Sequence, residues 1–465
     1  DARICPGSAT CRILAINNRF FHDQGGYLRT HGVRVPDMTA GLALGPYDVP
    51  AFRVAAHVRL TNKTPAATYR APGRYEGTFV RERLLDAIAA EVGIDPIEAR
   101  RRNMIAGDAI PFARPLDALE VDVVLESGDY AGLLRKALKD FRWGALQTDI
   151  AVRRAAGEMV GVGLGFFVEK SGLGPTDKAR VEANSEGEIT VVTGASNLGQ
   201  GVITVMAQIC AGTLGVDHTG IGVVCGRTDR IDEGYGSHAS RTTVMTGEAT
   251  RLATVALHEK LVSLAADKMQ ADPSEIEIVD GMARQAQTGA SMSIGDVVRS
   301  SGDDVVSAEG RYDTTHMNYP YGVHAAVVAV DPETGIATVE KFMIAYDIGC
   351  AINPMTVEGQ LQGGLAQGIG GALFEEFTYD AAGQPLSSTF ADYIMPGATE
   401  VPGAQILLTE DAPSPLNPLG IKGAGEGGIN AVGAAIASAI DDAIGKPGAV
   451  TELPVTPRRL LPLLG

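Results

Sequence analysis

Cysteine is sparse and scattered in this sequence. Cys5, Cys11, Cys210, Cys225 and Cys350 are odd in number and form no Cys-x-x-Cys pair. That argues against a disulfide scaffold and against an iron–sulfur cluster held by this chain. The eight histidines show no paired metal-ligand spacing. No basic stripe offsets the formal charge of −17, so nucleic acid is not expected as a partner. No apolar run approaches membrane-spanning length, and no signal-peptide pattern opens the chain. The acidic balance fits a cytoplasmic protein. Aromatic residues are few, at 5%, and Trp143 is the single tryptophan.

What the chain has in excess is glycine, 57 of 465 residues, without a collagen period or low complexity. Such a distribution implies many tight turns where backbone must approach something closely. A hydrophobic content of 45% and a charged content of 20% are globular values, and the length favours two or three lobes. The chain opens at Asp1 without a methionine, which suggests processing, a split gene or a shortened coding segment.

Residues Arg12 to Leu60 read as strands and loops. Cys11 to Ile16 resembles a strand entered in mid-domain, and Ala51 to Val58 is the clearest extended piece. A helix is expected from about Gly77, with Val80, Leu84, Ala87 and Ile88 on one face and Gly93 ending it. Asp95, Pro96 and Glu98 then supply an N-cap, a first-position proline and a capping-box glutamate for a second helix. Ala106 to Asp117 reads as a loop. A division into residues 1–125 and 126–465 follows from a boundary placed near 110–140.

The longer part repeats one theme, a strand leading through a glycine-rich turn into a helix. Ile189 to Thr193 leads into a helix from Val202. Gly222 to Cys225 leads through a long loop to a helix carrying Leu252, Val255, Ala256, Val262 and Ala266 on one side. A hairpin joins Ala325–Val330 to Ile336–Tyr346 and runs on through Asn353-Pro354 into a helix. Ala404 to Leu408 is a strand, followed by a Pro/Gly loop and a helix from Ile429 to Ile444. The expected fold class is mixed α/β (α+β), and no strict period supports a solenoid.

Glycine-rich backbone ahead of a helix start is a natural anion site, because free N–H groups and the helix dipole point the same way. Any one such loop can equally be a plain strand-to-helix turn. Several converging would suit a bulky polyanion such as a pyrophosphate-bearing cofactor. Gly423 to Gly428 matches the letters of the dinucleotide fingerprint GxGxxG, but a turn and not a buried strand precedes it, so a nicotinamide site is weakly supported. Glu426 within that run has only glycines beside it. On a surface it would be solvated, whereas beside a buried cofactor desolvation would raise its pKa and make it a base. Gln200 either caps the helix after it or points a donor at a ligand. Arg70 and Arg74 are either structural charges or an anion clamp. His238 has no partner at metal spacing and reads as structural.

Taken together these segments resemble the molybdenum hydroxylases of the xanthine dehydrogenase type. The carriers are Tyr69-Arg70-Ala71-Pro72-Gly73-Arg74, Asn197 to Gly201, Ser240 to Thr243 with Thr246-Gly247, Asp347 to Gln360, and Gly420 to Glu426. They follow in order from about residue 12 to 445. The resemblance implies the two molybdopterin-binding portions of a large subunit, with the molybdopterin cytosine dinucleotide lying between them. By that match Gln200 would donate to a ligand of the molybdenum, and Arg70 and Gly247 would line the metal centre. Gly201, Ser240, Arg241, Thr242, Thr246, Gln360 and Lys422 would hold the rest of the cofactor, with no side chain ligating the metal directly. Glu426 would be the base in hydroxylation of an aromatic N-heterocycle or aldehyde with water-derived oxygen. Electrons would leave through 2Fe-2S and FAD groups on partner subunits.

Two departures qualify the match. The family's amino-terminal portion, with its glycine–phenylalanine loop, is absent from this sequence, so a companion chain carrying it is expected. Where the carbon monoxide dehydrogenases of the family carry a copper-binding cysteine, this chain has Ala71. The competing readings are a nicotinamide-dependent dehydrogenase, resting on 423–428 alone, and a cofactor-binding subunit without turnover.

Overall fold

A computed structural model describes residues 2–4 and 12–465, so Cys5 and Cys11 lie outside the described residues. In chain order the first elements are β1 (Ala2–Ile4), β2 (Ile13–Gly25), α1 (Arg34–Gly41), β3 (Ala51–Leu60), α2 (Arg74–Val92), α3 (Pro96–Asn103), β4 (Phe112–Ala118), β5 (Val121–Leu125), α4 (Tyr130–Asp140) and α5 (Trp143–Ala155). Next come β6 (Val160–Val168), β7 (Thr176–Asn184), β8 (Ile189–Thr193), α6 (Val202–Leu214), β9 (Ile221–Cys225), α7 (Thr242–Met269), β10 (Ile276–Val279), β11 (Met282–Gln285), β12 (Ser291–Ser293) and α8 (Ile294–Ser301). The last are β13 (Val305–Asp313), β14 (Tyr321–Val330), β15 (Ala337–Asp347), α9 (Pro354–Ile369), β16 (Ala404–Thr409), α10 (Val432–Ile444) and α11 (Pro457–Leu464). Among the described residues no helix is long and apolar enough to cross a membrane.

Two four-stranded mixed sheets organise the longer part, in the orders β13-β7-β8-β9 and β16-β15-β14-β6. Each has one parallel pair, β8 with β9 and β15 with β16, and is otherwise antiparallel. Helices α6, α7 and α8 cover the first sheet around Val191, Ile209, Leu257 and Val297. The second sheet is buried on both faces. Its Phe167, Ile344 and Tyr346 side packs on α9 and α10, and its Leu164, Phe166, Tyr321 and Val323 side packs on Leu85, Ala99 and Leu133. This accounts for β6 being buried along its whole length, with no polar alternation.

Glycine sets the spacing between helix and sheet in both halves. A Cβ on Gly163 of β6 would run into the backbone of Ala435 and Ala439 in α10, and one on Gly310 of β13 into that of Ala249 and Ala253 in α7. The helices present alanine at these points, so backbone meets backbone without an intervening side chain.

Local expectations were met where punctuation is strong. Gly93 closes α2 in the left-handed conformation, and Asp95 caps α3 by accepting from the N–H groups of Ile97 and Glu98. Other expectations need correction. The stretch from Arg12 to Leu60 contains the helix α1, whose Pro36 sits in the first turn, where its missing N–H is harmless. Part of the Ala106–Asp117 loop is strand β4. Glu98 does not close a capping box; it pairs with Arg101 and Arg102. Helix α10 starts at Val432, three residues later than expected. Helix α7 buries Ala253, Leu257, Leu261 and Ala265; of the expected stripe Ala266 is fully buried, and Leu252, Val255, Ala256 and Val262 are only half-buried.

The largest correction is α2, which begins at Arg74 and leaves Val80 exposed. Its buried face carries charge. Glu82 accepts from Arg81 (3.0 Å), Arg100 (2.8 Å), the Phe166 N–H (3.0 Å) and the Tyr47 hydroxyl (3.1 Å). With its partners all supplied, the burial of this glutamate is tolerated.

The close helix–sheet contact yields a paired test. Gly163→Ala should lower stability by about 1–3 kcal/mol, the usual range for overpacking. Gly222→Ala, where a new Cβ meets nothing nearer than 3.4 Å, should cost much less in the same urea titration. Equal midpoints for the two variants would contradict this packing account.

Candidate active site

A cavity of about 940 Å³ opens where four loops meet. One wall is 68–74 with His31 and Arg34, and the second is Leu198 to Val202 at the start of α6. The third is Ser237 to Thr243 at the start of α7, and the fourth is Gly423 to Glu426, with Thr356 and Gln360 of α9 beside it. Both α6 and α7 begin without a side-chain cap, so their first N–H groups are left for whatever occupies the cavity.

The charged centre of the wall is a carboxylate pair sharing one arginine. Arg74 Nη2 lies 2.8 Å from Glu426 Oε1 and 2.6 Å from Glu169 Oε1. Glu426 also accepts from the Ala71 N–H at 3.0 Å and from the Ser240 hydroxyl at 2.7 Å. Asn430 holds the pair from behind, donating to Glu169 Oε2 at 2.5 Å and to the Glu426 carbonyl at 3.1 Å. Burial alone would raise both acids. At Glu426 that effect is outweighed by Arg74, Lys170, Ser240 and the Ala71 N–H, and its pKa falls below the ordinary value. At Glu169 burial and the charge of Glu426 prevail over Arg74, and its pKa rises. Two carboxyls in one site are thus pushed apart, with Glu426 the one held ionised.

The remaining expected residues divide by position. Arg70, Gln200, Ser240, Thr242 and Gln360 line the cavity with Glu426, and Gly201 is the left-handed N-cap of α6 beneath it. Arg70 donates to the Gly425 carbonyl (2.6 Å), Gln367 (2.8 Å), and the Gln360 carbonyl and side chain (3.0 and 3.1 Å). Gln200 closes its own loop, accepting from the Leu198 N–H and donating to the Ser196 carbonyl. Arg241 and Thr246 turn away from the cavity onto buried Asp177 and anchor the loop that carries Ser240. Gly247 lies beneath the wall, where a Cβ would press on Ile209. Lys422 is buried behind it, with its ammonium 5.4 Å from the centroid of the Tyr321 ring.

Three contributors were not singled out from the sequence as site residues. Glu169 and Lys170 follow directly on the apolar strand β6, and a charged pair at the end of a nine-residue buried run was the available signal. His238 lines the cavity, its Nε2 3.1 Å from the Tyr235 carbonyl. Backbone strain gathers here as well. His31, Leu119, Ala239 and Ser240 on the wall, and Ala71 beneath Glu426, all adopt left-handed φ between 48° and 64°. Such non-glycine residues cost about 1–3 kcal/mol each and persist where surrounding contacts enforce them. No periodicity in the sequence announces them.

Among the described residues no three His, Cys, Asp or Glu side chains are grouped to hold a metal ion. The glycine run 423–428 does not join a strand directly to a helix. β16 ends at Thr409 and α10 starts at Val432, so the dinucleotide fingerprint lacks its required context.

Residues 136–402 match a family model described as a molybdopterin cofactor-binding domain, and residues 8–104 match a second model with the same description. The chain is 42% identical to the 6-hydroxypseudooxynicotine dehydrogenase complex subunit gamma of Paenarthrobacter nicotinovorans, covering 97% of this chain and 58% of that protein. It superposes on quinoline 2-oxidoreductase from Pseudomonas putida 86 with a TM-score of 0.90 at 32% identity, covering 98% of this chain and 60% of that one. The Cu,Mo-CO dehydrogenase gives 0.87 at 26% identity, covering 97% and 60%. The chain therefore spans about three fifths of the relatives it matches.

The Arg74 bridge predicts a pH-dependent stability change. In the wild type, ionised Glu426 stabilises the fold above the ordinary carboxylate range, and this is lost as pH falls through its lowered pKa. Arg74→Gln leaves two buried carboxyls facing each other, so both pKa values should rise. The variant should lose about 3–5 kcal/mol near pH 7 and distinctly less near pH 5, where the carboxyls take up protons. Urea midpoints at the two pH values measure it, and a loss independent of pH would contradict the shared-arginine account.

Proposed function

The chain belongs to the molybdenum hydroxylase family of the xanthine dehydrogenase type, and on that footing we propose that the cavity binds a molybdopterin cytosine dinucleotide and that Glu426 acts as the base beside it. The observation that carries this reading is the Glu426 carboxyl group, fixed by Arg74, Ser240 and the Ala71 N–H at the edge of a cavity onto which two uncapped helix starts open. The volume, the free N–H groups and the nearby Arg34 suit a bulky polyanion.

When bound, the molybdenum cofactor supplies two-electron redox chemistry, and the protein supplies position and electrostatics. Residues 1–125 and 126–465 are read as the two portions that enclose it, since the wall draws on both. Arg70, Gln200, Gly201, Ser240, Thr242 and Gln360 are the residues that would hold it. Arg241, Thr246, Gly247 and Lys422 would support the same loops from behind. Glu426 takes a proton as water-derived oxygen is added to an aromatic N-heterocycle or an aldehyde. Its lowered pKa keeps it in the accepting form, and the cavity wall limits how much water competes for it. In this reading the chain works in the cytoplasm within a larger complex. A companion portion completes the site, and 2Fe-2S and FAD subunits remove the electrons.

Metal and nucleotide analysis of the native complex should give molybdenum and cytidine nucleotide in equal amounts. In that complex Glu426→Gln should keep both and lose turnover on its best heterocycle or aldehyde by at least about a hundredfold. Near-normal turnover with full metal content would remove Glu426 from the role of base.

A second outcome concerns Ala71. It is fully buried, its N–H is committed to Glu426, and its methyl group offers no lone pair to a soft metal. The native complex is expected to lack stoichiometric copper and to show no reduction by carbon monoxide. Copper equal to molybdenum, together with carbon monoxide-dependent reduction of an artificial acceptor, would overturn this.

A further inference from the structure

Lys170 is a buried cation without a partner among the described residues. It is 2% exposed, lines the cavity, and makes neither a hydrogen bond nor an ion pair with any described residue. Every buried arginine among the described residues, by contrast, donates to a carboxylate or a carbonyl, including Arg74, Arg81, Arg83, Arg100, Arg114 and Arg241. The other buried lysine, Lys422, is also unpaired, but it packs over the Tyr321 ring and is not on the cavity wall.

The backbone explains where Lys170 points. Glu169 and Ser171 are both fully buried. Glu169 turns inward to Arg74 and Asn430, and Ser171 accepts from the Gly423 N–H at 2.8 Å. Their N–H groups pair with the carbonyls of Pro320 and Asn318, which fixes this segment in extended form. Successive side chains alternate along an extended segment, so the side chain between these two faces the cavity. Lys170 is in the electrostatic field of Glu426, Glu169 and Arg74, and His238 on the facing loop feels its charge. Burial and the like charge of Arg74 lower its pKa to about 8, against the pull of Glu426 and Glu169.

The Lys170 ammonium reaches the cavity on an otherwise buried side chain with no acceptor from the described residues, and a wall position beside the proposed base is where a bound substrate would supply one. We propose that Lys170 is a specificity-determining residue that donates to an anionic or hydroxyl oxygen carried by the substrate, and so selects oxygen-bearing heterocycles or aldehydes over their unsubstituted counterparts. This deepens the reading given under the proposed function and rests on it for the identity of the site.

The test uses the intact metal-loaded complex and two matched pairs of probes, 4-hydroxyquinoline with 4-methylquinoline and 4-hydroxybenzaldehyde with 4-methylbenzaldehyde. Calorimetric titration of the wild type should show the hydroxyl member of at least one pair bound at least about tenfold more tightly, the scale of a hydrogen bond to a charged group. In Lys170→Met the preference should collapse to within about twofold, with molybdenum and nucleotide content unchanged, and Lys170→Arg should retain part of it. Equal binding of both members by the wild type overturns the proposal, as does a preference that survives in Lys170→Met. Depletion of molybdenum and nucleotide from Lys170→Met also overturns it, and would make Lys170 a cofactor anchor. Discrimination in the wild type without turnover of any probe would count against the proposed activity while leaving the assignment of Lys170 standing.

Discussion

The site depends on one guanidinium shared by two carboxylates. Arg74 is the first residue of α2, Glu169 follows the end of β6, and Glu426 sits in a glycine run ahead of α10. Three distant parts of the chain are tied at one buried point, and two of them reach the cavity there. A buried charge triad of this kind is tolerated only when its remaining hydrogen-bonding capacity is met. Asn430, Ser240 and the Ala71 N–H supply most of it here. The left-handed backbone at Ala71 and Ser240 is the strain that brings these donors into place.

The same arrangement separates two chemically identical groups. Glu169 lies deeper, feels the charge of Glu426 and is raised; Glu426 has Lys170, Ser240 and the Ala71 N–H in addition to Arg74 and is lowered. One carboxyl is thereby kept as an acceptor at the cavity edge, while the other serves as its structural counterpart. The glycine-spaced contacts of α10 on β6 and α7 on β13 hold the elements from which these groups project, so the helix–sheet packing and the electrostatics are not independent.

Much of this was legible in the sequence where backbone chemistry punctuates it. The Asp331–Gly335 hairpin turn, the Asn353-Pro354 helix start and the glycine turn before Val202 lie where the residues placed them. Hydrophobic periodicity was right on α2 only at Ile88, because the buried face mixes Leu85, Ile88 and Ala89 with Arg74, Arg81, Glu82 and Asp86, and a search for apolar stripes passes over the charged half. The expectation that burial would raise the pKa of Glu426 captured the desolvation but not the cations that outweigh it, since Arg74 and Lys170 are remote in sequence. Gln200, Arg70, Gln360 and Glu426 do converge on one cavity, whereas Arg241 and Thr246 face Asp177. Side-chain direction at a helix start depends on tertiary partners, which a motif does not encode.

The central claim is that the cavity bounded by Arg70, Gln200, Ser240 and Glu426 is where the cofactor metal resides. Anomalous X-ray scattering at the molybdenum absorption edge, from crystals of the metal-replete complex, tests it most directly. The account predicts a single strong peak inside this cavity for each copy of the chain. A molybdenum peak elsewhere on the chain, with this cavity empty of scattering, would contradict it.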